Sequence, residues 1–267
     1  MKLTAFGRYL EASGNRVNLK YFIFPMTGQK QEDVAALALD APVAEIKEAD
    51  NRGELTQVSD GNVLYTMWKN GETPSVTRRN IRDILAAAQA TTSYDPKNAA
   101  MDLGVGGLRG LVSRLQTTME FAPVKSVKVA DREFLEVTGR WNAKVRNEIF
   151  KIPADTIVDP RPQVPEYVRV YVDAQTMLPR RIQYLKRSMD PTQKVVRPMI
   201  TLDFRNLVIN ETVDDSMFTF TAPENVKEED GTQMVIQLIQ QSVAAPASPS
   251  TEPAAAPATP VAPAAPK

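Results

Sequence analysis

The chain contains no cysteine and no histidine. The first absence removes disulfides, thiolate nucleophiles, iron–sulfur clusters and cysteine-held zinc. The second removes Ser-His-Asp and Cys-His hydrolysis, imidazole metal ligation and proton shuttling by histidine. Catalysis would have to rest on carboxylates, lysine, tyrosine or a hydroxyl activated by another group, and no cofactor is expected. Charge of one sign is not in excess either: 32 basic residues balance 32 acidic ones. Nucleic acids and anionic membrane surfaces both select a cationic excess, so neither is expected as the main partner. The longest purely apolar run is the six residues Val34 to Leu39, against the roughly 20 that a transmembrane helix requires. No basic segment followed by an apolar stretch opens the sequence, so these residues predict no signal peptide and no transmembrane segment.

What is present is a near-average globular composition, 43% hydrophobic and 24% charged over 267 residues, enough for one large domain or two small ones with a sizeable core. The last 25 residues, from Val243, break with this: ten are Ala and seven are Pro. Proline at that density blocks both helix and ladder, which predicts a disordered Ala/Pro-rich tail over 243–267 behind a folded unit over 1–242. An acidic, Ala-rich stretch from Gln29 to Asn51 reads as an insertion between two strands, with a short helix around Glu32–Leu39 as one form it could take.

Period-two alternation predicts strands over Phe6–Glu11 and Val17–Phe24, joined by a turn at Ser13-Gly14-Asn15. Val17, Leu19, Tyr21 and Ile23 share one face of the second. Leu55–Ser59 and Asn62–Lys69 form another hairpin across Asp60-Gly61, with Val63, Tyr65 and Met67 on one face. Asn80 can cap a helix over Ile81–Ala90, which Tyr94-Asp95-Pro96 breaks. Gly104-x-Gly106-Gly107 reads as a hinge before a helical stripe of Leu108, Leu111, Val112 and Leu115. Further strands are expected at Val124–Val129, Glu133–Arg140, Tyr167–Asp173, Arg180–Arg187 and Met199–Ile209, with a short helix at Asn142–Phe150. A proline-rich crossing loop spans Ile152–Pro165, a short extended piece Phe218–Thr221, and an amphipathic helix Thr232–Gln241. Strands flanking a helical middle predict an α+β fold with one antiparallel sheet of about eight strands. Two mid-chain helices are little cover for so many apolar strand faces. Either the faces close on each other or an apolar gap remains, and apolar gaps bind ligands.

Several pieces of the sequence resemble LolA-type lipoprotein carriers. They are Val58-Ser59-Asp60-Gly61 through Tyr65; Val170 to Asp173 followed by Leu178-Pro179-Arg180-Arg181-Ile182; Thr138-Gly139-Arg140-Trp141; and Thr201 to Ile209 followed by Val213-Asp214, Met217-Phe218-Thr219-Phe220 and Pro223. Their order, spanning roughly Leu3 to Asp230, matches that of the LolA, LolB and LppX fold. The long first helix and signal sequence usual in that family do not precede Leu3. The resemblance implies an open, strongly curved antiparallel sheet, a half-barrel, with helices covering its concave face. It implies a non-enzymatic protein of the periplasm or cell envelope that binds lipid or lipoprotein acyl chains, as a carrier. The lid would be Ile81–Ala90 and Leu108–Thr118, hinged at Gly104, Gly106 and Gly107. The cavity would be lined by Leu19, Tyr21, Ile23, Tyr65, Met67, Ile84, Leu108, Leu111 and Leu115.

Two other readings stay open. The same fold with a closed core would serve as a structural or regulatory envelope module that binds other envelope proteins and carries no lipid. Alternatively, carboxylate pairs among Asp131, Glu133 and Glu136, or at Asp214 and Asp215, could perform acid–base hydrolysis. Charge clusters at turns are more often solvated faces. Glu228-Glu229-Asp230 reads as an acidic flank favourable to the dipole of the last helix.

Overall fold

A computed structural model describes residues 3–25, 53–71, 73–91, 96–129, 132–152, 161, 163–188 and 196–244. The expected insertion at 29–51, its helix, the turn residues 130–131, most of the crossing loop and residues 245–267 lie outside these. The fold is mixed α+β, built from antiparallel sheets that do not close. Among the described residues twelve strands divide between two sheets, where about eight in one were expected.

The first sheet opens with the hairpin β1 (Leu3–Ala12) and β2 (Arg16–Pro25). Gly14 and Asn15 take positive φ at its tip, a conformation these two residue types adopt most readily. The sheet continues through β3 (Gly53–Asp60), β4 (Val63–Lys69) and β5 (Ser75–Asn80). At the β3–β4 turn the Asp60 carboxylate accepts from the Asn62 and Val63 amides at 2.8 and 2.9 Å. A Cβ on Gly61 would stand 2.4 Å from the Gly14 carbonyl oxygen, so the two hairpin tips touch where only glycine fits. A short strand, β12 (Glu228–Asp230), joins the far edge parallel to β5.

β5 runs straight into α1 (Ile81–Ala90), capped as expected by the Asn80 side chain, which accepts from the Asp83 amide. α2 (Pro96–Asp102) follows. Pro96, read from sequence as part of the break after Ile81–Ala90, is also the first residue of this next helix, where its missing N–H costs nothing. α3 (Gly107–Thr118) leads into the second sheet, and α4 (Thr232–Ala244) closes the described chain. The starts of α1 and α4 are tied together: Thr232 Oγ1 accepts from the Asn80 amide at 2.9 Å, and the Thr232 amide donates to the Asp230 carboxylate. The acidic flank thus acts on the last helix, as expected, through a direct cap.

The second sheet has the order β11-β10-β9-β8-β6. Its strands are β6 (Met119–Phe121), β7 (Lys125–Val129), β8 (Arg132–Trp141), β9 (Tyr167–Asp173), β10 (Pro179–Arg187) and β11 (Val196–Asp203). β6 and β7 pair with successive stretches of β8 and are parted around Pro123, which has no amide hydrogen for the ladder. The helix expected at Asn142–Phe150 is a single π turn over Val145–Ile149. β11 stops at Asp203, short of the expected Ile209. There the Arg180 guanidinium takes the Phe204 carbonyl at 2.7 Å and Asn206 turns the chain at φ +51°. Phe218–Thr221, expected to be extended, begins with the end of a 3₁₀ turn over Asp215–Phe218.

Two apolar clusters hold these layers. In the first, Ile81, Ile84 and Ala88 of α1 meet Val17, Leu64, Ala99, Leu103 and Ile239. In the second, Leu115 and Met119 meet Val168, Val170 and Ile182, with Leu111 and Phe204 packed beside them. Ile84 is fully buried, so Ile84→Ala leaves a cavity and should cost about 2–5 kcal/mol. Asn80→Ala removes only a cap and should cost about 1 kcal/mol. Urea unfolding monitored by circular dichroism checks both. Equal losses would mean that α1 is not seated on the core as described.

Candidate functional site

The register of the first sheet assigns each side chain to a face. Leu19 pairs with Gln57 and Tyr21 with Leu55, while Leu55 pairs with Trp68 and Gln57 with Thr66. Directly opposed residues in an antiparallel ladder share a face. Leu19, Tyr21, Ile23, Leu55 and Trp68 therefore stand on one face, together with Val17 and Leu64, which the helices roof. Tyr65 pairs with Val58 and Met67 with Thr56, so both stand on the opposite face. There Tyr65 stacks on Phe220 at 4.9 Å between ring centroids. Arg16 lies over the buried Phe218 ring and pairs with Asp215, and the Asn18 amide donates to the Met217 carbonyl. The 3₁₀ segment thus covers the reverse face.

The structure therefore brings together Leu19, Tyr21 and Ile23 but separates them from Tyr65 and Met67. Ile84 lies in the first apolar cluster and Leu111 and Leu115 in the second. The two helices expected to roof one cavity each close a cluster of their own. Leu108 belongs near the first group by its backbone: its amide donates to Glu11 Oε2 at 3.1 Å, on the strand beside Leu19. Trp68 was not read from the sequence as part of this group. Both phases of β4 are apolar, Val63-Tyr65-Met67 and Leu64-Trp68, so alternation alone did not distinguish them. Counting outward from the Asp60-Gly61 turn would have placed Trp68 with Leu55.

Along this face exposure rises away from the hairpin tips. Val17 and Leu64 are 2% and 1% exposed. Leu19, Tyr21, Ile23 and Leu55 are half-buried, and Trp68 is 36% exposed. Two rings lie flat against glycine: a Cβ on Gly7 would stand 2.2 Å from the Tyr21 ring, and one on Gly53 would stand 2.8 Å from Trp68. The α2–α3 turn borders the band. Gly104 sits over Gln57, and Gly107, at φ +59°, sits against Tyr9 and Glu11, where a Cβ would come within 2.2 Å of both side chains. The glycine run expected to be a hinge is thus also a packed turn. Gly106 and Gly110 carry it closely past Met101.

Burial sets the electrostatics of the two tyrosines on this face. Burial, reinforced by the hydrogen bond to the Glu11 carboxylate at 2.8 Å, pushes the Tyr9 hydroxyl well above the ordinary tyrosine range. Burial also raises Tyr21. The carboxylates weighed as catalytic have structural partners: Glu133 accepts from Ser126, Glu136 lies 3.9 Å from Arg169, and Asp214 caps its own 3₁₀ turn. Asp131 lies outside the described residues. Among the described residues no three acidic groups gather as a metal site.

No family model matches the chain, and no curated protein matches it significantly. Among solved structures it is similar to an outer membrane lipoprotein-sorting protein domain from Vibrio parahaemolyticus, at 10% identity over 76% of this chain and 78% of that one, with a TM-score of 0.27. At that score the likeness carries no argument about function.

A neutral Tyr9 makes stability fall at alkaline pH. Its folded pKa is raised above the unfolded value, so its contribution is complete below about pH 10 and is lost as pH rises beyond. Tyr9→Phe should therefore flatten, in part, the decline in urea midpoint between about pH 9 and 11. Tyr21, Tyr171 and Tyr184, also raised by burial, would supply the remaining decline. An unchanged slope in Tyr9→Phe would show that the hydroxyl is not buried beside Glu11.

Proposed function

We propose that this chain is a non-enzymatic protein of the periplasm or cell envelope whose folded unit receives a hydrocarbon chain, a lipid or lipoprotein acyl group, on the band of Leu19, Tyr21, Ile23, Leu55 and Trp68. The gradient of exposure along one sheet face carries this reading: the face is sealed under helices at the hairpin tips and open-edged at Trp68. The sequence pieces that resemble LolA-type carriers support it. Contact of this kind is undirected. Each methylene removed from water contributes about 0.8 kcal/mol, so a modest length of chain gives useful and reversible affinity. The α2–α3 turn beside Tyr9 and Glu11 is the element that would move to admit a longer chain. No described helix is long and apolar enough to cross a membrane.

A specific observation favours a second reading, a structural or regulatory envelope module with protein partners and no lipid cargo. Ile81 and Ile84, both on α1, are wholly buried, so this helix already closes a packed cluster.

Delipidated protein should take up a fluorescent fatty acid saturably. Leu19→Asn should weaken uptake roughly tenfold, equivalent to about 1.4 kcal/mol, whereas Met67→Asn, on the opposite face, should leave it unchanged. The carrier reading fails if there is no uptake, or if the two variants lose it equally. The module reading then gains, and pull-down from an envelope extract with the full chain becomes its test.

A further inference from the structure

At one end of the second sheet four strand ends converge. β8 begins at Arg132, β9 ends at Asp173, β10 begins at Pro179, and the chain leaves β11 through Asn206 and Leu207. Between them lies a pocket of about 300 Å³ whose polar lining is Arg132, Arg180, Asp173, Thr176 and Asn206, with Leu178 and Leu207 on its apolar sides. It includes no residue of β1–β5 and is separate from the apolar band.

The charges in this pocket are unequal in number. Two guanidiniums face one carboxylate. Asp173 Oδ1 is engaged by its own turn, accepting from the Gln175 amide at 3.0 Å, the Thr176 amide at 2.9 Å and the Thr176 hydroxyl at 3.2 Å. These bonds and the nearby Arg132 hold the Asp173 carboxyl below the usual carboxylate range, so it stays charged and its turn stays closed. Arg180 is fixed in the wall by its bond from Nη1 to the Phe204 carbonyl at 2.7 Å. Asn206 is held at φ +51°, and its side chain makes no hydrogen bond among the described residues. Met177, in the adjoining turn, also has positive φ, at +56°. That conformation is uncommon for a long unbranched side chain, and the turn's bonds to Asp173 maintain it.

An apolar ligand would have to strip water from both arginines, and a cation would be repelled by them. An oxyanion matches: the planar guanidinium fork fits carboxylate and phosphate oxygens, and charge-assisted bonds of this type are about twice as strong as neutral ones. We propose that this pocket binds a carboxylate or phosphate group between Arg132 and Arg180, with the Asn206 amide as a further donor and the two leucines against the body that bears the anion. The site does not depend on the acyl-binding reading and would stand without it. Its openness to water makes binding weak and sensitive to salt.

The test is a titration of the full ¹⁵N-labelled chain at low ionic strength with inorganic phosphate, with acetate, and with dihexanoyl phosphatidic acid below its micelle concentration. Saturable shifts confined to the amides of 173–178 and 204–207 are expected. R132Q should weaken them about fivefold or more, through loss of one charge-assisted contact. N206G keeps a residue suited to positive φ while removing the amide, and should weaken them to a smaller degree. R140Q, which alters an exposed arginine paired with Glu120, should change nothing. Thermal melts on all three variants check that the fold is retained. Shifts with phosphate or acetate would identify a free anion as sufficient. Shifts at these amides with the phosphatidate alone would identify a lipid headgroup as the source, and either result supports the pocket. Absence of saturable shifts in the native chain overturns the proposal. So do equal shifts in native chain and R132Q, or shifts confined to β2.

Discussion

Every side chain in an antiparallel ladder is committed to a face by register, because the side-chain period is two. In the first sheet that constraint decides which side chains each face carries. The pairing of β2 with β3 and of β3 with β4 puts Leu19, Tyr21 and Ile23 beside Leu55 and Trp68. It puts Tyr65 and Met67 on the opposite face, where Tyr65 meets Phe220. A slip of one residue between β3 and β4 would exchange these sets and put Leu64, which is 1% exposed, on the far side. The full burial of Leu64 and Val17 under α1 is therefore what keeps the band's composition fixed. Two features pin that register at its origin: the Asp60 side chain closing the turn, and Gly61 fitted against the Gly14 carbonyl.

Polar ties concentrate at the same end. The Ile81 amide donates to the Asn62 carbonyl at 2.8 Å, Ser59 Oγ donates to the Asn15 carbonyl at 2.9 Å, and the Asn80 amide donates to Thr232. Both hairpin tips and the starts of α1 and α4 are thereby joined by directed bonds within a small volume. Toward the other end the described residues carry rings set against glycine and aliphatic side chains, beside the Lys20–Glu54 ion pair. One sheet thus has a determined end and an adaptable end. Directed bonds are costly to break, whereas apolar contacts re-form with little loss at each exchange. Under the proposed acyl-binding reading, this is the end at which a hydrocarbon would enter and leave.

Local chemistry made much of this legible. The Asn80 cap, the two glycine turns and the period of Ile81, Ile84 and Ala88 are each decided by neighbours within four residues, and each is found as read. The α+β class with antiparallel sheets follows from the order of elements, whereas their openness was implied only by the LolA-type resemblance. Non-local facts were not legible. β5 has one buried apolar residue, Val76, among Ser, Thr, Arg and Asn, so its strand character comes from its neighbour β4. Pro96 signals equally well the end of one helix or the start of another. The division into two sheets, and of the lid helices between two clusters, depends on which face each strand presents. β4, apolar in both phases, does not declare that in sequence.

α3 is where the two halves meet. Its first turn is held by Glu11 of β1, and its last turns pack Leu111 and Leu115 on the second sheet. A helix anchored at both ends to different sheets cannot shift at one without straining the other. Glu11 holds α3 by one bond, from the Leu108 amide to Oε2, an oxygen that also accepts from the Tyr9 hydroxyl of its own strand, beside a glycine in the left-handed region. The contact with the second sheet is apolar and undirected. If the helix moves to admit a ligand, the physics favours pivoting about Leu111 and Leu115. Apolar packing tolerates small rotations, while the bonds at Glu11 are either made or broken. The Gly104–Gly107 turn then lifts from Gln57 and takes Val105 out of the first cluster, while the second cluster stays intact.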